Sequence, residues 1–452
     1  MNSTSLTDSL ESGLNALPIL DVHTHLCGPK LAARGLHDIL LYHMIVSDLY
    51  SAGCPTGARL TQFPNWPGKQ EAHQRIKEAL PYLPPISNTS GWWGVRIILR
   101  DLYDWTDPIT SDNWQRLDDQ VRERADDPAW PRGILQRANI HRASAEYCRR
   151  GQGEGDDVLQ YSLEWGMFMR AQWGEFDTAV YDLERTWGRP PEAPVAILGN
   201  VARPVADRTI KTLDDVHAAI KHYVESIPYH HVISTATSLS TDIDYRLPSD
   251  AEMSDALKRR QQAGTAERDI YAAYIGEALL AALEKRSDQI VFQFSLGAEP
   301  LPFETASRVS QKTLAQLAEM VGRHPKLRFQ CFVSSRHANQ TLCTMCRELP
   351  NFSLAGYWWH NFFPAAIRHV MAERLDMVPV NKQVGFFSDA YTVEWAYAKA
   401  VIVRKQMAQV LAEKVAQGQY STDDAINVSR QILFETPQTL VGMTPTPGKM
   451  KD

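Results

Sequence analysis

The stretch Leu20-Asp21-Val22-His23-Thr24-His25-Leu26 joins a short apolar segment to two histidines separated by one residue. Residues i and i+2 of a β-strand point to the same side, so the two imidazoles would face one point at the end of this strand. Imidazole nitrogen is a common ligand of zinc and similar ions. The stretch therefore predicts a strand that ends in half of a metal site, whereas two ordinary polar histidines are the alternative.

Similar apolar segments recur along the chain, each followed by a small or polar residue and then by a stretch of helical periodicity. The helical stretches, such as residues 269–286 and 310–324, suit the crossovers that parallel strands require. Eight strands of this kind predict an α/β fold, a (β/α)₈ barrel of the TIM type found in metal-dependent hydrolases. The strands are predicted at residues 19–22, 231–233, 290–294, 328–333, 352–357 and 384–387, with weaker candidates at 142–147 and 195–198.

The remaining sequence fits a single domain built around this barrel. Residues 15–440 are predicted to form the domain, and residues 28–140, which are rich in helical patterns, Trp and Pro, a helical insertion over the barrel mouth after strand 1. Residues 1–14 and 444–452 are predicted to be loose tails.

Composition limits the class of protein. The 452 residues are 44% hydrophobic and 22% charged, which is typical of a globular protein and disfavours disordered or coiled-coil chains. A net charge of −6 offers no broad basic surface for nucleic acid. The sequence also lacks an apolar stretch long enough to span a membrane and an N-terminal signal-peptide pattern. We therefore predict a cytoplasmic protein that acts on a small molecule, without a nucleic-acid or membrane partner, and we leave open whether it forms a homo-oligomer.

The six cysteines are too few for a disulfide scaffold. Cys343 and Cys346 fall at helical spacing with Leu342 and Leu349, which favours a packed helix face over a redox or zinc pair.

A carboxylate follows the last predicted strand, in Phe387-Ser388-Asp389. The first and eighth strands of a closed barrel are neighbours, and barrel enzymes build their active sites at the carboxyl ends of the strands. Asp389 is therefore predicted to face His23 and His25, although an aspartate that caps the following helix is the alternative.

Through four segments, taken in order, the chain resembles the amidohydrolase superfamily. Within this superfamily it resembles the uronate isomerase (glucuronate isomerase) family, as a divergent member. The four segments are PILDVHTHL at residues 18–26, DILLYHMIVSDL at 38–49, LAGYWWHNFFP at 354–364 and GFFSDAYTVEW at 385–395. The resemblance implies a metal-dependent isomerase that interconverts the aldose and ketose forms of a hexuronate, of the glucuronate or galacturonate type, through an enediol. It also implies that His23, His25 and Asp389 bind one divalent ion, with zinc as the first choice, and that Asp389 or His43 moves the proton.

The sequence departs from the family at two positions. The family has an arginine two residues after the last-strand aspartate, where this chain has Tyr391, and a tyrosine after the helix-borne histidine, where it has Met44. Arg203 or Arg336 could supply the missing cation, with surface solvation as their alternative role. The predicted substrate-binding residues are Tyr42, Arg203, Arg336, Trp358, Trp359, His360 and Tyr391.

Two other functions compete with the isomerase. The first is a hydrolase or decarboxylase of the same superfamily that acts on a related sugar acid or carboxylate, which the changes at Tyr391 and Met44 favour. The second is a sugar-acid binding protein without turnover, which a complete set of metal ligands disfavours.

Overall fold

The computed structural model describes residues 3–26, 31–55, 68–146, 158–164, 168–169, 176–188, 206–230, 232–286, 290–297, 309–357 and 363–443. In these residues eight parallel strands form one sheet in sequence order, as the barrel prediction requires. The predicted α/β fold of the TIM type is therefore confirmed. The strands are β1 Ile19–Asp21, β2 Ile140–Glu146, β3 Leu159–Glu164, β4 Val232–Leu239, β5 Val291–Leu296, β6 Arg328–Val333, β7 Phe352–Ala355 and β8 Gln383–Val384.

Helices surround the sheet and connect its strands. The longest described helix, α15, follows β8 and packs against both the first helix of the chain and the helices between β1 and β2. The described helices are α1 Ser3–Ala16, α2 Leu36–Leu40, α3 His43–Ser51, α4 Lys69–Ala79, α5 Ser90–Tyr103, α6 Trp114–Ala125, α7 Trp130–Arg137, α8 Thr178–Thr186, α9 Leu213–Ser226, α10 Asp250–Lys258, α11 Thr265–Glu284, α12 Gln311–Arg323, α13 Arg336–Glu348, α14 Pro364–Met377, α15 Val393–Ala416, α16 Thr422–Arg430 and α17 Thr436–Val441.

The strands are apolar because both of their faces are buried. Leu20, Val291 and Phe332 belong to a cluster inside the curled sheet, whereas Ile19 and Phe292 pack outward against helices. Parallel sheets covered by helices have this double burial, which explains why the strands appear in the sequence as short apolar runs.

The edges β1 and β8 meet through irregular contacts. Strand β8 is short because Gly385 N, directly after it, donates a hydrogen bond of 2.7 Å to Ile432 O. Ile432 belongs to the π-helix Gln431–Glu435, which fills the gap beside β1 and β8. A Cβ atom at Gly385 would lie 2.8 Å from Ile432 Cγ1, so this approach requires glycine. Beyond the gap, residues 388–390 pair with residues 23–25.

Several strand boundaries differ from the prediction. Strand β3 was not predicted, and the candidate at 195–198 lies outside the described residues. Strands β4 and β5 continue past Ser234 and through Ser295, and some of their hydroxyls have partners. Thr235 Oγ1 donates a hydrogen bond of 2.8 Å to Leu163 O, and the Oγ atoms of Ser238 and Ser295 are 2.7 Å apart. A polar residue therefore does not mark the strand end here.

The N-terminal segment is not a loose tail, and the prediction for residues 1–14 is wrong from Ser3 onward. Ser3–Ala16 forms α1, in which Leu10 and Leu14 are fully buried. Their spacing of four residues places them on one side of the helix, which packs against α15. Residues 444–452 lie outside the described part of the chain.

The described residues between β1 and β2 form helices α2 to α7. The buried carboxylate of Glu394, at the start of α15, connects this insertion to the barrel through hydrogen bonds. It accepts hydrogen bonds of 3.0 Å from Tyr103 Oη, 3.2 Å from Trp130 Nε1 and 2.9 Å from Ala33 N. The insertion therefore packs along α15 while α3 carries His43 toward the carboxyl end of the barrel.

Cys343 and Cys346 are buried on α13, as expected for a packed helix face. Burial raises the pKa of the Cys343 thiol to about 11 and that of Cys346 to about 12, so both stay protonated at neutral pH. Among the described helices, none combines the length and the apolar character that a membrane span needs.

The packing at the end of β7 can be tested with two glycines of positive φ, Gly356 (φ 48°) and Gly418 (φ 77°). A Cβ atom at Gly356 would lie 2.0 Å from Phe387 Cδ1, whereas one at Gly418 would meet nothing within 4 Å. We expect Gly418→Ala to lower the free energy of unfolding by about 1 kcal/mol, through backbone strain alone. Gly356→Ala should lower it by roughly 2–4 kcal/mol, because overpacking adds to the strain. Urea unfolding measures both, and equal losses would contradict the packing at Phe387.

Candidate metal centre and active site

The two halves of the site follow β1 and β8. Asp389 N donates a hydrogen bond of 3.0 Å to His23 O, and His25 N donates one of 2.9 Å to Ala390 O. These bonds pair residues 23–25 with residues 388–390 as neighbouring strands would be paired. The pairing lies at the carboxyl ends of the strands, where barrel enzymes place their active sites. It brings the Asp389 carboxylate to both imidazoles.

The three predicted metal ligands converge. Asp389 Oδ1 lies 3.1 Å from His25 Nε2 and 3.7 Å from His23 Nε2, and one ligand atom from each residue lies within 4.8 Å of the others. Bonds of about 2.0–2.2 Å from zinc to nitrogen and oxygen place ligand atoms roughly 3–4 Å apart. The side chains of His23, His25 and Asp389 are only 14%, 13% and 7% exposed. The spacing and the burial both suit a small divalent ion.

The protonation states of this group also suit an ion. Burial would raise the pKa of Asp389, but contact with His25 and the nearby charges lower it to about 2. Burial and the nearby His25 together lower the pKa of His23 to about 4, although Asp389 opposes the shift. At neutral pH the site thus offers a carboxylate and a neutral imidazole, the forms in which these side chains bind metals. Asp389 Oδ1 is buried and accepts no regular hydrogen bond from the described residues, so a cation would satisfy it.

Asp389 adopts a left-handed backbone conformation with φ 53°. This conformation costs a non-glycine residue about 1–3 kcal/mol and is found most often at functional sites. Ser388 N donates a hydrogen bond of 2.8 Å to Asp21 Oδ1 just before this residue. Burial raises the pKa of Asp21 to about 7, and its link to Ser388 ties β1 to the segment that carries Asp389.

Lys399 and Tyr42 hold the backbone of Asp389. Lys399 Nζ is buried beneath the site and donates hydrogen bonds of 2.5 Å to Ser388 O, 2.9 Å to Tyr42 Oη and 3.3 Å to Asp389 O. Tyr42 Oη in turn donates one of 2.7 Å to Asp389 O. Burial lowers the pKa of Lys399 to about 8. Lys399 is not among the residues predicted from the sequence, where its only signal is a lysine within the apolar run of α15.

Tyr42 corrects one prediction. It was predicted to bind substrate, but its side chain is fully buried and its hydroxyl is committed to Asp389 O. Because Tyr42 ends the turn before α3, its burial fixes the start of the helix that begins with His43. Tyr42 therefore positions Asp389 and His43.

His43 and Tyr391 flank the three ligands. The His43 ring lies 4.4 Å from the Tyr42 ring and 5.6 Å from the Tyr391 ring. Burial lowers the pKa of His43 to about 3, so its imidazole is neutral at neutral pH. Tyr391 is partly exposed and stacks on His25, with ring centroids 4.7 Å apart and planes 13° apart. An aromatic ring thus lies directly beside the His25 imidazole.

The other predicted residues are less closely tied to this group. Arg336 begins α13, is exposed, and forms no hydrogen bond or ion pair with the ligands in the described structure. Met44 is partly buried against the core. The remaining predicted substrate-binding residues lie outside the described residues: Arg203, Trp358, Trp359 and His360.

The described residues contain a single group of three or more potential metal ligands, His23, His25 and Asp389. At the carboxyl end of β5, the Oγ atom of Ser295 lies 2.7 Å from the Oγ atom of Ser238. The fold and the site thus define an α/β barrel with one candidate metal centre at its carboxyl end.

Solved structures with the same fold include two sugar-acid isomerases. No family model and no curated protein sequence matches the chain. The uronate isomerase of Bacillus halodurans C-125 superposes with a TM-score of 0.72 at 17% identity, covering 99% of this chain and 98% of that one. The glucuronate isomerase of Caulobacter crescentus superposes with a TM-score of 0.76 at 14% identity, covering 100% and 96%.

A protein of Lactobacillus casei ATCC 334, provisionally named a metal-dependent hydrolase, is less similar. It has a TM-score of 0.58 at 11% identity, covering 96% of this chain and 97% of that one. Identities this low establish a shared fold, and that fold extends over the whole length of the isomerases.

Removal of the two histidines tests the metal centre. We expect the purified wild-type protein to bind about one equivalent of zinc and the double variant His23→Ala/His25→Ala to bind almost none, because two of three ligands are lost. Metal analysis after dialysis measures both. The matched control is His337→Ala/His369→Ala, which removes two exposed histidines. Equal zinc content in the two double variants would contradict the assignment.

Proposed function

We propose that this chain is a metal-dependent isomerase that interconverts a hexuronate, of the glucuronate or galacturonate type, and the corresponding ketose acid. The convergence of His23, His25 and Asp389 carries the proposal. It lies at the carboxyl end of a barrel whose fold is shared, over the full length, with a uronate isomerase and a glucuronate isomerase.

His23, His25 and Asp389 would hold one divalent ion, with zinc as the first choice for two imidazoles and a carboxylate. When bound, the ion supplies positive charge that stabilises the negative charge developing on the oxygens of an enediol. The neutral His23 imidazole and the ionised Asp389 carboxylate are in the states this role requires.

Isomerisation moves one hydrogen from C2 to C1 and one proton from the C2 hydroxyl to the C1 oxygen. A positioned base must take the C2 proton and return it to C1. We propose Asp389 or His43 for this role, because Asp389 is ionised and His43 is neutral at neutral pH. Tyr42 links the two, since its hydroxyl donates to Asp389 O and its ring lies 4.4 Å from that of His43. Both side chains are buried, which would keep the proton from exchanging quickly with bulk water.

The contacts to the substrate carboxylate form the second part of the proposal. Tyr391 is partly exposed beside His25 and could donate one hydrogen bond, but it supplies neither the charge nor the two parallel donors of an arginine. We propose that Arg203 or Arg336 supplies the cation. We propose further substrate contacts from Trp358, Trp359 and His360.

A hydrolase or decarboxylase acting on a related sugar acid is the second candidate. The stacking of Tyr391 on His25 favours this second candidate. Tyr391 lies two residues after Asp389, at the position where the uronate isomerase family has an arginine. The fold shared with the Lactobacillus casei protein is compatible with it.

The fate of the C2 hydrogen distinguishes the two reactions. We expect the zinc-loaded protein, incubated in D₂O with D-glucuronate or D-galacturonate, to produce a ketose signal and to exchange or relocate the C2 hydrogen, as followed by proton NMR. A hydrolase would leave that hydrogen in place. Asp389→Asn should slow the reaction by about 10²-fold or more, since it removes both a metal ligand and a candidate base.

The matched control is Asp8→Asn, at an exposed position of α1, which should react at the wild-type rate. A zinc-loaded protein that exchanges no C2 hydrogen and forms no ketose from either hexuronate would contradict the isomerase and leave the second candidate in its place.

A further inference from the structure

The two nitrogens of His23 have different surroundings. His23 Nε2 faces the centre, 3.7 Å from Asp389 Oδ1. His23 Nδ1 is buried and has no hydrogen-bond partner among the described residues. Phe332 and Phe387 enclose the ring, with centroids 4.9 and 5.7 Å away. A neutral imidazole that uses Nε2 as a ligand carries its proton on Nδ1, and a buried N–H requires an acceptor.

A glutamine pair lies below this imidazole, at equivalent positions of β5 and β6. Gln293 and Gln330 are fully buried and directly opposite each other in the parallel ladder. Gln293 Nε2 donates hydrogen bonds of 2.9 Å to Gln330 Oε1 and 3.3 Å to Val22 O. Two buried amides in the middle of apolar strands are costly to desolvate unless their groups are used.

The Val22 carbonyl determines how the Gln293 amide is oriented. A carbonyl oxygen only accepts hydrogen bonds, so the NH₂ group of Gln293 must face it and the Oε1 atom must point away. Gln293 Oε1 is buried and has no partner among the described residues. Gln293 Oε1 is therefore a buried acceptor without a partner in the described part of the chain, and His23 Nδ1 is a buried nitrogen that needs an acceptor.

The two groups are neighbours. Gln293 Nε2 lies 3.3 Å from the carbonyl oxygen of Val22, the residue that immediately precedes His23 in the chain. The Gln293 amide is thus held against the backbone that carries the His23 ring, and Gln293 Oε1 and His23 Nδ1 are both buried without a partner among the described residues.

We propose that Gln293 is a positioning residue for the metal centre: its Oε1 accepts the hydrogen bond of His23 Nδ1–H and so keeps the Nε2 lone pair directed at the ion. Gln330 acts one step further away, because its Oε1 atom holds the Gln293 amide in this orientation. Partners of metal-bound imidazoles elsewhere fix the tautomer and the ring orientation in the same way.

Zinc affinity tests this role, measured by competition with a chromogenic chelator. Gln293→Met, which keeps the volume and removes the amide, should weaken zinc binding by about 10–100-fold. Gln330→Met should weaken it less, and it should have no further effect in the Gln293→Met background, because it acts only through Gln293.

The matched control is Gln383→Met. Gln383 is also buried on a strand, and its Nε2 donates to Arg374 O and Val378 O instead of the site. This variant should be destabilised in urea but should keep the wild-type zinc affinity. A role of Gln293 in barrel stability alone would give Gln293→Met and Gln383→Met the same affinity, and that result overturns the proposal.

The zinc-loaded wild-type protein provides a second test that needs no substitution in the core. With ¹⁵N-labelled histidine, NMR should show the His23 proton on Nδ1 and slow exchange of that proton with water. A proton on Nε2 would overturn the proposal. The inference rests on the metal centre of the proposed function and not on the reaction, so a protein that binds zinc but lacks isomerase activity leaves it intact. A wild-type protein that binds no zinc overturns both.

Discussion

The hydrogen bond from Asp389 N to His23 O couples closure of the barrel to assembly of the candidate metal centre. It joins segments from opposite ends of the chain, as does the bond between Ser388 N and Asp21 Oδ1, whose residues are 367 positions apart. Below these bonds β1 and β8 are separated by the π-helix at Gln431–Glu435. The short pairing at the carboxyl end is thus the contact that makes neighbours of the two half-sites.

The conformation of Asp389 has an energetic cost that the surrounding residues offset. A left-handed non-glycine residue costs about 1–3 kcal/mol, and a hydrogen bond from a charged donor contributes about 1.5–3 kcal/mol. Lys399 supplies such bonds to the carbonyls of Ser388 and Asp389, and the neutral Tyr42 hydroxyl adds one to Asp389 O. The buried ammonium group of Lys399 therefore fixes the position of the Asp389 carboxylate through its bonds to the backbone of Ser388 and Asp389. Lys399 also helps to keep Asp389 ionised.

The parts of the site that sequence could predict are those that depend on local pattern. His23 and His25 follow an apolar run at strand spacing, and Asp389 follows the last such run, so barrel geometry alone placed them together. Lys399 and Gln293 were missed because their partners, Tyr42 and Gln330, are distant in the sequence and no local pattern pairs them. Tyr42 was misassigned for a related reason, since burial of an aromatic side chain depends on the packing of α15.

The chemistry proposed for the barrel depends on His23, His25 and Asp389 forming one metal site. Anomalous diffraction at the zinc edge, from crystals of the zinc-loaded protein, shows whether they do. We expect one strong peak at about 2.0–2.2 Å from an imidazole nitrogen of each histidine and from a carboxylate oxygen of Asp389. The absence of a peak at this position, or zinc bound by other residues, would contradict this expectation.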